Sequence, residues 1–231
     1  MVSKIESQTI LEAKNLGRLT REGDTWLFRD LSLTVSAGDK LVLTGESGCG
    51  KTVLMRSLIF LDCLDSGEIL WHGESVEDER VPFFRTRVLY LHQKPVLFSG
   101  TVKQNLDRPF VFASNKDRSS SDDNVLRWLA VLGRDESFLH KDSSHLSGGE
   151  LQMVSVLRSL RLEPEMLLLD EPTSQLDSKS TGLIEELISG WLEERLEERS
   201  LVWITHQEEQ AKRVASRRMQ LSDGMLREVE V

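Results

Sequence analysis

Residues 45–52 read GESGCGKT, and no other stretch of the chain constrains the fold as strongly. They follow an apolar run at 41–43 that predicts a buried strand, and they precede a helical pattern at 52–58. Glycines at such a turn let backbone N–H groups point inward around phosphate oxygens, while Lys51 reaches the β- and γ-phosphates and Thr52 a Mg²⁺ ion. The flanking strand and helix disfavour the alternative, a glycine-rich turn with a solvated lysine. The predicted nucleotide-binding residues are Gly45, Glu46, Ser47, Gly48, Cys49, Gly50, Lys51 and Thr52.

Two adjacent carboxylates follow a second apolar run. Residues 166–169 are Met-Leu-Leu-Leu, typical of a central parallel strand, and Asp170 and Glu171 come directly after them. Asp170 is predicted to hold Mg²⁺, through water, and Glu171 to polarise a water molecule for attack on the γ-phosphate. An isolated Asp-Glu pair would favour a helix cap or an exposed loop, but the apolar run and the upstream phosphate loop reverse that preference.

Further landmarks follow in a fixed order: Gln93 after the apolar stretch 88–91, LSGGE at 146–150, SQLD at 174–177, and His206 after the stretch 201–205. This order resembles the ATP-binding cassette (ABC) ATPase family over nearly the whole chain. The resemblance implies an α/β fold with a RecA-like P-loop core, an antiparallel β subdomain and a helical subdomain. It also implies one domain over 1–231, with a core lobe at 1–93 and 161–231 and a helical lobe at 94–160.

The resemblance also implies roles for these landmarks. Gln93 would reach Mg²⁺ and the attacking water, and His206 would contact the γ-phosphate and hold that water. The implied catalytic residues are Glu171, His206 and Gln93, and the implied metal-site residues are Thr52, Gln93 and Asp170. Alone, Gln93 would be no more than a polar strand terminus.

A serine and two glycines at the start of the helix after residue 146 predict a second anion site. In the resembling family this site, here Ser147, Gly148 and Gly149, faces the ATP bound to the opposite subunit, and Asp177 lies at the seam. The implied assembly is a head-to-tail homodimer that encloses two ATP molecules with Mg²⁺.

The chain departs from the family pattern in two places. The usual signature ends in Gln, whereas Glu150 stands here, which we expect to alter the charge near the opposing nucleotide. The adenine-stacking aromatic expected near residues 15–20 is absent; Arg18 is the candidate in its place, while Trp26 and Phe28 are expected to pack in the following strand. We therefore expect weak discrimination between ATP and GTP.

Composition narrows the setting. A net charge of −9 in 231 residues argues against broad nucleic-acid binding. The sequence has no run of 18 apolar residues, so we expect no direct insertion into a membrane. The N-terminus does not resemble a signal peptide, and we interpret the two cysteines as reduced thiols. We expect a cytoplasmic chain, peripheral on the cytoplasmic face of the membrane through a permease.

The segment 95–106 bears on the partner. Its sequence contains the motif P-x-L-F-x-x-T-V at 95–102, which is similar to the corresponding segment of cassettes that are coupled to integral membrane permeases, particularly exporters. The alternatives are an apolar loop that packs on its own helical lobe, and a soluble ABC ATPase of iron–sulfur cluster assembly. Together with V-W-x-T-H at 202–206, this motif most resembles the ATP-binding subunit of a bacterial iron-export system. No residue of this chain is expected to contact iron.

Overall fold

The computed structural model describes residues 8–20, 22–115, 118 and 121–230. Ten strands lie within these ranges: β1 (Thr9–Leu19), β2 (Trp26–Ser36), β3 (Lys40–Thr44), β4 (Ser66–Trp71), β5 (Glu74–Ser75), β6 (Val88–Leu91), β7 (Met166–Asp170), β8 (Ser200–Ile204), β9 (Arg217–Ser222) and β10 (Met225–Val229). The α-helices are α1 (Lys51–Ser57), α2 (Val81–Arg87), α3 (Val102–Asp107), α4 (Asp122–Val131), α5 (Gly148–Leu160), α6 (Ser178–Glu193) and α7 (Glu208–Val214).

The strands form two sheets. A four-stranded sheet has the order β2-β1-β4-β5 and is antiparallel throughout. A six-stranded sheet has the order β10-β9-β3-β8-β7-β6, in which neighbours from β9 to β6 are parallel and β10 closes an antiparallel hairpin with β9. The predicted combination of a parallel core with a separate antiparallel sheet is therefore present.

Both faces of the parallel sheet are buried. Side chains alternate between the two faces along each strand, so a single strand contributes residues to two cores. Leu41 and Leu43 of β3 point into a core shared with the antiparallel sheet and α1, whereas Val42 points into a second core. That second core contains Leu157 of α5 and Ile188 of α6. The sheet thus separates two apolar layers, and polar side chains are found where its strands end.

The site is positioned by this topology. Parallel strands present their carboxyl ends at one edge, so residues that follow β3, β6, β7 and β8 meet there. The phosphate loop follows β3, Gln93 follows β6, Asp170 ends β7 and His206 follows β8.

The polar composition of residues 114–124 predicts a mobile connection within the helical lobe, and part of this stretch has regular structure. A 3-10 turn covers Ala113–Asn115, and α4 begins at Asp122 with Ser121 as its N-cap. Residues 116, 117, 119 and 120 lie outside the described ranges. Among the helices that are described, none has the length and apolar character needed to cross a bilayer.

Candidate nucleotide and catalytic site

The phosphate loop depends on backbone angles that only glycine adopts easily. Gly50, the N-cap of α1, has φ of 103°, and Gly45 has φ of 144°. A Cβ atom at Gly45 would lie 2.3 Å from the Leu221 carbonyl oxygen, and one at Gly50 would lie 2.9 Å from the Leu27 side chain. The loop is therefore packed against β9 and β2, and a larger residue at either position would displace it.

The amino group of Lys51 lies within this loop. Its Nζ donates to the carbonyl oxygens of Gly45 at 2.9 Å and Glu46 at 2.7 Å, and it lies 3.8 Å from Cys49 Sγ. Lys51 is buried, with 6% of its surface exposed. A solvated lysine is thus the wrong interpretation, since two carbonyl oxygens of the loop itself accept hydrogen bonds from the Lys51 ammonium group.

Asp170 joins two elements at the sheet edge. Its Oδ2 accepts from Thr52 Oγ1 at 2.9 Å and from the Tyr90 hydroxyl at 2.8 Å. Burial, followed by the hydrogen bond to Asp170, raises the pKa of Tyr90 far above its ordinary value, so this phenol stays protonated and donates. The sequence marks Tyr90 only as a strand residue, because nothing in its spacing indicates this contact.

Glu171 is the centre of a second polar cluster. It adopts φ of 47°, a left-handed conformation that turns the chain sharply after β7, and its amide donates to the Ile204 carbonyl at 3.1 Å. Gln93 Nε2 donates to Glu171 Oε2 at 2.8 Å, and His206 Nε2 lies 2.9 Å from Glu171 Oε1. All three residues implied as catalytic are therefore brought together, with Glu171 between the other two.

The donor set suits Mg²⁺. The Thr52 hydroxyl, the Asp170 carboxylate and the Gln93 amide are oxygen donors, which this hard cation prefers. Thr52 and Asp170 are already in hydrogen-bond contact, whereas Gln93 contacts the neighbouring Glu171. Within the described ranges no group of three or more His, Cys, Asp or Glu residues could hold a metal by itself. A cation here would need further oxygens from phosphate and water.

The predicted second anion site lies at the start of α5. Ser147 caps the helix in a capping box: its Oγ accepts from the Glu150 amide at 3.3 Å, and its own amide donates to Glu150 Oε2 at 2.9 Å. Ser147 and Gly148 are exposed. Helical geometry provides no acceptor for the amides of Gly148 and Gly149, which are therefore available to a ligand.

Asp177 similarly caps α6. Its carboxylate accepts from the Ser180 amide at 2.9 Å and from the Ser180 hydroxyl at 2.8 Å, and these hydrogen bonds lower the pKa of Asp177. The preceding residue, Leu176, approaches Gly149 closely enough that a Cβ there would lie 3.4 Å from its side chain. The cap of α6 and the start of α5 are thus neighbours.

Glu150, which we expect to alter the charge near the opposing nucleotide, has a cationic partner in the same chain. Its side chain is buried, and Lys141 Nζ contacts both carboxylate oxygens, at 2.9 and 2.8 Å. Burial acts to raise the pKa of Glu150, but the hydrogen bonds from Lys141 and Ser147 outweigh it and the pKa is lowered. The extra negative charge is therefore paired within the chain, and Lys141 is a partner that sequence reasoning missed.

The base-binding prediction also changes. A cavity of about 500 Å³ adjoins the phosphate loop and is lined by Thr20, Trp26, Leu27, residues 46–49 and residues 220–224. Trp26 begins β2 as expected, but it is 37% exposed and lines this cavity. Arg18 is instead tied to Asp65, with 3.2 Å between Nη1 and Oδ2, and Phe28 is fully buried. Trp26 thus replaces Arg18 as the candidate for base stacking.

A P-loop followed by a strand-end Asp-Glu pair, with a glutamine and a histidine on that pair, defines a nucleotide-hydrolysing ATPase core. The family model described as "ABC transporter" matches residues 28–174. The chain belongs to the ABC transporter ATPase family, and the predicted fold and ATPase class are confirmed.

Curated relatives cover most of the chain. The probable iron export ATP-binding protein FetA of Escherichia coli K12 is 33% identical over 89% of this chain and 88% of its own length. The phosphate import ATP-binding protein PstB of Pseudoalteromonas translucida is 34% identical over 90% of this chain and 77% of its own. Relatives of both transport directions are therefore about equally similar.

Solved structures share the fold. A dimeric post-hydrolysis state of the ATP-binding cassette MJ0796 bound to ADP and Pi superposes with a TM-score of 0.81 at 24% identity, covering 96% of this chain and 98% of that one. CbiO1 from Clostridium perfringens, part of the ABC transporter complex cbiONQ, has a TM-score of 0.80 at 23% identity, covering 95% and 87%.

Proposed function

We propose that this chain is the ATP-hydrolysing subunit of an ABC transporter and drives a separate membrane permease through ATP-dependent head-to-tail dimerisation. The observation that carries this proposal is that one chain contains two separate predicted anion-binding sites. The phosphate loop, Asp170 and Glu171 meet at one sheet edge, whereas Ser147 and Gly148 present a second anion site at an exposed helix start. Two such sites are both used if the second completes the nucleotide site of another copy.

The roles at the first site follow from the contacts. The loop amides and Lys51 bind the phosphates, Thr52 and Asp170 hold the Mg²⁺ that offsets phosphate charge, and Gln93 stands beside them. Glu171 accepts the proton of the attacking water, and His206, 2.9 Å from its carboxylate, orients that water. In the same proposal Asp177 aligns the dimer seam, and the chain divides into a core lobe (1–93, 161–231) and a helical lobe (94–160).

The base is proposed to stack on Trp26. Its indole lies at the cavity that Ser47, Gly48 and Cys49 also line, so a nucleotide on the phosphate loop would place its base nearby. Stacking is tolerant of base identity, because every base has a π face. Comparable affinities for ATP and GTP are therefore still expected, now because stacking on Trp26 does not depend on base identity rather than because an aromatic residue is missing.

The surface for the permease is proposed at residues 96–98. Val96 is 77% exposed and Phe98 50% exposed, so the loop does not simply pack on its own lobe. Its backbone is nevertheless fixed: the Phe98 amide donates to Asn105 Oδ1 at 2.8 Å, and its carbonyl accepts from Asn105 Nδ2 at 2.9 Å and Ser143 Oγ at 2.9 Å. Exposed apolar side chains on a rigid backbone are suited to a protein partner.

Export, with iron or another metal as cargo, is the direction we propose. It is supported by the similarity to an iron export protein and by the wording of residues 95–102. In this proposal the permease binds the cargo, and the chain works at the cytoplasmic face of the membrane.

Affinity purification from gently solubilised host membranes tests the proposal. We expect the tagged chain to retain an integral membrane protein that changes its ATPase rate, and the double variant Val96→Ser, Phe98→Ser to lose that protein while ATP binding persists. Recovery of a soluble iron–sulfur assembly complex, with no membrane protein, would overturn the transporter assignment.

A further inference from the structure

The carboxylate of Glu150 is surrounded by hydrogen-bond donors and cations. Lys141 Nζ contacts both of its oxygens, the Ser147 amide donates to Oε2 at 2.9 Å, and Arg134 Nη2 lies 3.4 Å from Oε1. The Glu150 side chain is 10% exposed, whereas those of Lys141 and Arg134 are 36% and 38% exposed. One buried anion is thus covered by two cations that lie nearer the surface.

The two cations are held in place. The Lys141 carbonyl accepts from the Val102 amide at 2.9 Å, and its amide donates to the Phe138 carbonyl at 3.2 Å. The Arg134 guanidinium carbon lies 5.4 Å from the centroid of the Phe138 ring, within the range of a cation–π contact. A bridge between Thr101 and Asp142 also fixes the residue that follows Lys141.

Glu150 lies next to the predicted second anion site at the start of α5. Ser147 contacts Glu150 from both its amide and its hydroxyl, so an anion bound by Ser147 and the next two amides would lie within a few ångströms of the carboxylate. Like charges at that separation repel strongly where water is excluded. An unpaired carboxylate would therefore disfavour a phosphate bound there, and pairing with a cation would reduce that repulsion.

We propose that Lys141 is a positioning residue that neutralises Glu150 and so allows the start of α5 to accept the terminal phosphate of ATP held by another copy of the chain. This inference rests on the head-to-tail dimer proposed above. Lys141 acts through Glu150 and does not itself touch the nucleotide. Glutamine at position 150 would complete the same capping box without a charge and would have no need of Lys141.

Four chains test the proposal, all carrying Glu171→Gln so that ATP is retained: the parent, Lys141→Met, Glu150→Gln and the double variant. Sedimentation velocity with Mg-ATP gives the dimer dissociation constant, and a fluorescent ATP analogue gives the affinity of the monomer. Lys141→Met should weaken the dimer about tenfold, with Arg134 limiting the loss. Adding Glu150→Gln should restore the parental value, and monomer affinity for the analogue should stay unchanged.

Lys212→Met is the matched control, because Lys212 pairs with Glu209 on α7 and its removal lowers the net charge equally. Parental dimerisation by Lys141→Met, or a loss that Glu150→Gln does not restore, would overturn the inference and leave the dimer standing. A parent that stays monomeric with Mg-ATP would remove the dimer and this inference together. Thermal unfolding of each chain separates a folding defect from a loss of dimerisation.

Discussion

The strand-end site and the start of α5 differ in how their polar groups are used. At the strand ends, Lys51, Asp170 and Glu171 each have polar partners within the same chain, and those of the two carboxylates come from distant segments. At the start of α5, the capping box uses the Ser147 and Glu150 groups, and exposed amides remain. The first region is assembled by the fold of one chain, and the second offers donors to something outside it.

This difference suggests which steps need one copy and which need two. Changes at the strand ends should affect nucleotide binding in the monomer or the chemistry of the completed site, whereas changes around Ser147 should act only on the assembly of two copies. Mutations in the signature, residues 146–150, should therefore change dimerisation without changing the nucleotide affinity of the monomer. The predicted effects of the mutations below range from a large loss of turnover to a small change in stability.

Glu171→Gln should reduce ATP turnover by about two to four orders of magnitude, because an amide cannot accept the proton of the attacking water. The hydrogen bonds to Gln93 and His206 can be largely kept by an amide, so ATP affinity should change little. Steady-state phosphate release and equilibrium ATP binding measure the two quantities. Turnover close to that of the wild type would remove Glu171 from the role of base.

Lys51→Ala should lower monomer affinity for ATP by about two orders of magnitude, because a buried cation beside the phosphates is lost. Ser147→Arg is the comparison: it blocks the start of α5 and should leave monomer affinity intact while abolishing ATP-dependent dimers. Titration with a fluorescent analogue measures both chains. Unchanged affinity in Lys51→Ala would exclude this lysine from the phosphate site.

Trp26→Ala should lower affinity for ATP and GTP to a similar extent, by about 1–3 kcal/mol, since a stacking face is lost for either base. Arg18→Ala serves as the control, because its guanidinium is paired with Asp65. Isothermal titration with each nucleotide checks the expectation. A loss confined to Arg18→Ala would restore the assignment of base stacking to that residue.

The smallest expected effect is a pH dependence at Glu150. Its folded pKa is lowered, so the stability it contributes is fully present above the ordinary glutamate pKa of about 4.3 and is lost as the pH falls through the folded value. The unfolding free energy of the wild type should therefore decline relative to that of Glu150→Gln as the pH falls through that acid range. Parallel pH profiles in chemical denaturation would contradict the pairing.

Sequence reasoning places the strand-end residues well because their signals are local. The apolar runs before Gly45, Asp170 and His206 predict strands, and parallel strands bring the residues at their carboxyl ends to one edge of the sheet. The joining of Gln93 and His206 on Glu171 could be expected only from the family resemblance, because no spacing rule links residues so far apart in the chain.

The contacts that the sequence does not reveal depend on tertiary packing. Tyr90 and Lys141 lie in ordinary local patterns, and their partners Asp170 and Glu150 become apparent only when β6 lies beside β7 and the segment before α5 folds back on it. The sequence correctly predicts that Trp26 lies in a strand, but its place next to the phosphate loop is set by sheet register.

The most direct test of the central claim is the molar mass of the Glu171→Gln chain by light scattering, with and without saturating Mg-ATP, together with the nucleotide bound per chain. We predict a shift from monomer to a dimer that holds two ATP molecules, and no shift when Ser147→Arg is added although ATP still binds. A chain that remains monomeric with ATP bound, or a Ser147→Arg variant that dimerises as readily, would contradict the account.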